Sequence, residues 1–226
     1  MRLRMIRFWV AVVLAASGAL MVAASWQRWA GSCSGVEACA SRQDHLFDFL
    51  PPAEPWEQAG SAAQLGGMSL LVFALALPLL PWALTGRRPG PFSAIALLAS
   101  ELALVAVAVS TLRSGLSGVV VAPTLGAWSV TVWLIGPPVL LGRFAVNARG
   151  WARASSVLLI MATPLVASVT YAIGEYDTRP WWEAVSGSIT VAAALCLLVA
   201  AVRRAGRSHG PDASIKTDVG SATQPR

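Results

Sequence analysis

Six stretches of roughly 20 residues in this chain are almost free of charge, and they restrict its fold more than any other feature. The hydrocarbon core of a bilayer is about 30 Å thick, which a helix of about 20 mostly apolar residues can cross. The stretches are 8–25, 62–84, 92–112, 123–141, 155–173 and 184–202, and only the third contains a charged residue. They are rich in Leu, Ala and Val without period-two alternation, which favours helices over a transmembrane barrel. Composition points the same way. Hydrophobic residues make up 56% and charged residues 12%, whereas soluble domains carry roughly 25% charge. That excludes a water-facing shell around one core, and the apolar excess excludes disorder over most of the chain. The expected fold is all-α: a polytopic integral membrane bundle of six transmembrane helices over residues 1–204. The polar segment 205–226 is expected to be a disordered tail.

The arginines orient this bundle. Net charge is +6, but the basic residues sit in short clusters between apolar runs, with no basic domain or aromatic module of the nucleic-acid-binding kind. With the N-terminus in the cytoplasm, thirteen basic residues fall inside, and only Arg28, Arg42, Arg113 and Arg179 fall outside. This is a strong positive-inside bias and puts both termini in the cytoplasm. Lys216 is the one lysine beside sixteen arginines. Together with abundant Ala, Val and Gly, that points to a GC-rich bacterial genome and hence a bacterial cytoplasmic membrane. The first stretch also reads as a signal peptide, with a basic start and small residues near Ala23 to Ser25. Against cleavage, Ala11, Ala15, Ala19 and Ala23 recur every four residues, a spacing that lets membrane helices approach closely. Most tryptophans fall at the expected membrane boundaries; Trp133, in mid-span, is the one left unplaced.

The first outer loop, 26–61, contains Cys33 and Cys39. In an oxidising compartment two nearby cysteines are expected to form a structural disulfide. Thiol–disulfide exchange is the alternative, but it normally uses C-x-x-C spacing. Asp44, His45 and Asp48 follow, with too few fixed ligands for a credible metal site. Pro55-Trp56-Glu57 before the second span is echoed by Pro180-Trp181-Trp182-Glu183 before the sixth. Pro suits a first helical turn, Glu there complements the helix dipole, and Trp suits headgroup depth. The two motifs either start their helices independently or pack together as an outer cap.

Glu101 is the most informative residue, since it lies near the middle of the third span. A carboxylate at that depth costs several kcal/mol unless paired, protonated or wetted. Arg113 is roughly 18 Å further along the helix, so a partner is expected from another helix: Ser129, Thr131, Thr163, Ser168, Thr170 or Tyr171. Prolines at 78, 81, 137, 138 and 164 interrupt three spans and predict kinks, of the kind that line transporter sites. Phosphate-loop, zinc-protease and serine-hydrolase motifs are lacking, and no cofactor is implied.

The functional expectation is a non-enzymatic accessory or sensory membrane protein. Its partners are the lipid bilayer and another membrane or extracytoplasmic protein, without nucleic acid. The alternative is a small ion-coupled transporter using Glu101. A membrane thiol oxidoreductase using Cys33 and Cys39 is the third reading.

Overall fold

The structure is a computed structural model that describes residues 2–30, 45–173 and 181–207. Among these the regular secondary structure is all helix, without strands. Helix α1 is Arg2–Trp29, α2 is Ala62–Ala76 and α3 is Leu80–Thr85, the last two joined by a 3-10 turn at Leu77–Leu79. Then come α4 (Pro91–Ser117), α5 (Ala127–Asn147), α6 (Trp151–Met161), α7 (Pro164–Ile173) and α8 (Trp182–Arg207). Among the described residues, five helical segments are long and apolar enough to cross a membrane: α1, α2 with α3, α4, α5 and α8.

The fifth expected crossing differs. Residues 155–173 form no single helix, because the chain breaks between α6, of 11 residues, and α7, of 10. Pro164 has no N–H to offer the Ile160 carbonyl. That oxygen instead accepts the Thr163 N–H at 3.0 Å and the Thr163 hydroxyl at 2.7 Å. The other prolines are absorbed differently: Pro78 and Pro81 accompany the 3-10 turn, while Pro137 and Pro138 lie inside an uninterrupted α5. Helix α8 runs to Arg207, slightly past the expected start of the tail.

Helix α1 lies in the centre, packed on α8 and α2, with Val10, Ala11, Leu14 and Ala24 fully buried. The close approach to α8 is made by Gly18 against Gly187. A Cβ on Gly18 would sit 2.5 Å from the Gly187 carbonyl oxygen. The four-residue alanine spacing is therefore not the contact: Ala11 is buried, but Ala19 faces outward. Helices α2 and α4 meet at Gly67, where a Cβ would lie 2.6 Å from the Leu112 nitrogen.

Two polar devices tie α1 to its neighbours. Ser17 and Ser69 each donate a hydroxyl to the other's backbone carbonyl, at 3.0 and 2.8 Å. At the opposite end from Trp29, the guanidinium of Arg7, only 4% exposed, donates to the Ala83 carbonyl at 2.8 Å and the Ala200 carbonyl at 3.1 Å. Arg7 thereby pins α1 to the last turn of α3, where cations favour the carbonyls, and to α8 about two turns before its end. Outside the bundle, Phe92, Ile95, Leu98, Trp128, Val139 and Val146 are all exposed. An apolar outer surface of this extent calls for a lipid environment.

Candidate functional site

The site is built on Arg28, in the last turn of α1. The residue is 5% exposed, and its Nη1 lies 2.8 Å from Asp48 Oδ1 and 3.1 Å from Glu183 Oε1. Glu183 comes from the first turn of α8, where a carboxylate complements the helix dipole. Its other oxygen accepts the Trp29 indole N–H at 3.2 Å and the Ser25 hydroxyl at 3.3 Å. The guanidinium also sits 4.6 Å from the centre of the Trp29 ring, within cation–π range. Three separate segments thus converge on one charged cluster: α1, the stretch before α2, and α8. Beside it, Trp181 adopts a left-handed φ of 73° and its ring stands 5.6 Å from that of Trp26. A bulky residue holds such a backbone only where its surroundings demand it.

Beneath this cluster is a cavity of about 520 Å³, within the range of small-molecule sites. Arg28, Trp29, Asp48, Trp182 and Glu183 form one end. Along its length lie Met21, Leu70, Phe73, Leu104, Trp133 and Pro137, reaching Leu141 and Leu159. From Arg28 to Ser17, the wall contributed by α1 is roughly 16 Å long. The break between α6 and α7 opens onto the cavity through Ala162, Thr163, Pro164, Ala167 and Ser168.

The wall hydroxyls all donate to backbone carbonyls. Ser186 donates to the Ala162 carbonyl at 2.6 Å, Thr190 to Ser186 at 2.9 Å and Ser168 to Pro164 at 2.9 Å. Thr163, Ser17 and Ser69 donate to carbonyls as well. The Ser186 bond serves the carbonyl that the helix break leaves without its usual partner. The chamber is therefore charged at one end and apolar in its depth, the polarity of an amphiphile.

Glu101 does not line the cavity. Its Oε2 is buried, and the carboxyl has no hydrogen-bond or ion-pair partner among the described residues. The expected partners are engaged elsewhere: Ser129, Thr131, Thr163 and Ser168 all donate to carbonyls within three or four residues of themselves. The side chains of Thr170 and Tyr171 lie outside the described residues.

Of the two outer motifs, Glu183 turns onto α1, while Pro55 and Glu57 are exposed and Trp56 is half-buried against the core. No hydrogen bond or ring contact joins them among the described residues. Cys33, Cys39, Asp44 and Pro180 lie outside the described residues, and with them the expected disulfide. Cys196 in α8 is a free thiol. Trp133 takes its place in the cavity wall, 5% exposed. Arg28 is the residue that sequence reasoning missed, having been counted only as one of four outer arginines. Comparison with protein-family models, curated proteins and solved structures finds no match.

Proposed function

We propose that this chain is a non-enzymatic integral membrane protein, accessory or sensory in role, that binds an amphiphile in the cavity below Arg28. The apolar body lies along Met21, Phe73 and Trp133, and the polar group sits among Arg28, Asp48 and Glu183. The observation that carries this reading is a chamber of about 520 Å³ whose charges lie all at one end. Deep in the cavity the wall hydroxyls give their protons to backbone carbonyls, so an acceptor group placed there would be left without a donor. A hydrocarbon body avoids that cost.

In this proposal the chain crosses the bilayer six times, α6 and α7 together forming the fifth crossing. Both ends lie on the cytoplasmic side of a bacterial membrane, which places Arg28 outside. Native mass spectrometry of protein extracted with lipid tests the binding reading. The wild type should retain an amphiphile, and Ala167→Trp, which fills the cavity from α7, should lose it while remaining folded. A wild type without bound amphiphile, or a variant that retains it equally, overturns the proposal.

A second reading, ion-coupled transport, has one observation in its favour: a broken helix lines the cavity, as in transporters. That reading takes Glu101, which stands outside the cavity wall, as the coupling group: Glu101→Gln should abolish flux in vesicles, and unchanged flux removes this form of the idea.

A further inference from the structure

The polar end of the cavity holds one cation and two carboxylates among the described residues, and they are not equally accessible. The Arg28 side chain is 6% exposed, Glu183 15% and Asp48 41%. Glu183 is already engaged, since its two oxygens accept from Arg28, Trp29 and Ser25. A polar group arriving in the cavity therefore meets the Asp48 carboxylate before it meets the guanidinium. The two segments that supply these residues are acidic throughout. Residues 26–61 carry five acidic side chains and two arginines, and residues 174–183 carry three and one. Within them carboxylates keep the majority however those arginines pair. The rest of the wall adds no cation. Its hydroxyls spend their protons on backbone carbonyls and offer an occupant lone pairs only. The remaining side-chain N–H groups belong to Trp133 and Trp182, and an indole is neutral.

We infer that the amphiphile of this cavity is cationic, its polar group an ammonium that donates to Asp48 beside the guanidinium already paired there. The inference rests on the reading of the cavity as an amphiphile site and narrows the class of its ligand. An ammonium carries donors and no acceptor, the complement of an end built from carboxylates. Together with Arg28 it sets two positive charges against Asp48 and Glu183. A phosphate or carboxylate headgroup would bring acceptors to an accessible carboxylate, and the one cation within reach is buried and bonded to two carboxylates already. An uncharged hydroxyl would bond there without balancing the charge. The apolar depth past Phe73 and Trp133 takes a hydrocarbon chain from any of the three, so the selection is made at the Asp48 end.

Native mass spectrometry of the full-length protein in a non-ionic detergent tests the choice. The probes are dodecylamine, dodecanol and dodecyl phosphate at equal concentration, with Ala167→Trp as the filled-cavity control that subtracts binding elsewhere. At neutral pH the wild type should retain the amine about fivefold over the alcohol, the worth of one ion pair at a half-exposed carboxylate. The phosphate should be retained less than the alcohol. Asp48→Asn should bring the amine down to the level of the alcohol and leave the alcohol unchanged. A wild type that favours the phosphate or holds amine and alcohol equally overturns the inference, as does an Asp48→Asn variant that keeps the preference. Equal retention of every probe by wild type and Ala167→Trp is a different failure: it sinks the amphiphile reading itself, and the inference with it. The mass of what the protein retains from its own membrane then separates a single-chain amine from a phospholipid with an amine headgroup, and an occupant without an amine contradicts both.

Discussion

Replacing Gly18 with alanine separates two physical effects that act in opposite directions. On helix propensity alone, alanine exceeds glycine by about 1 kcal/mol in a helix interior, so the change should stabilise α1. The structure demands the reverse. The new Cβ would lie 2.5 Å from the Gly187 carbonyl oxygen and 2.9 Å from Val191 Cγ2. Ordinary carbon contacts begin near 3.5 Å, so α1 and α8 must part by about 1 Å. A gap of that size forfeits a quarter to a half of the dispersion energy of the atoms it separates, along the interface on which α1 packs most extensively. Overpacking of this kind costs about 1–3 kcal/mol. The obstacle is backbone on α8, which cannot rotate away as a side chain would. Gly187→Ala meets the same barrier from the other side, 2.6 Å from the Gly18 carbonyl oxygen. One separation of the helices relieves both, so the double variant should cost less than the sum of the singles, with a coupling of about 0.5–3 kcal/mol. Reversible denaturant titration in mixed micelles measures all three. A stabilised Gly18→Ala protein, or strict additivity, would refute the packing argument.

Other substitutions probe the polar anchors. Glu183→Ala leaves Arg28, Ser25 and Trp29 short of an acceptor and should lower the midpoint of thermal unfolding. The loss should fall below the 3–5 kcal/mol typical when a buried pair is broken, because Asp48 stays beside the guanidinium; an unchanged midpoint would contradict the geometry. Asp48→Asn, at a side chain 41% exposed, should cost much less than Glu183→Ala in the same assay. Arg7→Met removes the donors to the Ala83 and Ala200 carbonyls. Hydrogen exchange around Ala83 in α3 and Ala200 in α8 should accelerate, while exchange at the Arg28 end stays as in the wild type.

What the sequence reveals here is whatever depends on neighbours along the chain. Apolar runs of span length become helices because a helix satisfies its own backbone, and five of the six are found as continuous or nearly continuous segments. The break at Thr163–Pro164 is hidden, because a proline within an apolar run costs little hydropathy and Pro137 and Pro138 leave α5 intact. Long-range pairings are hidden more deeply. Arg28 and Glu183 are 155 positions apart, and nothing local marks Arg28 as buried except the tryptophans around it. The alanine repeat in α1 suggested a contact face, yet Gly18 makes the approach, since only there does opposing backbone come within reach of a missing Cβ. Glu101 was visible as an anomaly, but its expected partners were not available. Ser and Thr in apolar helices bond to carbonyls of their own turn, which removes them as donors to a neighbouring helix.

The account rests above all on the chamber below Arg28 and on what fills it. A high-resolution structure determined in lipid nanodiscs without added ligand tests this directly. The account predicts elongated non-protein density running from the Arg28–Glu183 cluster past Phe73 and Trp133 toward Leu141, with its polar end at the guanidinium. A chamber closed by inward collapse of α7, with protein side chains filling the space and no such density, would contradict it.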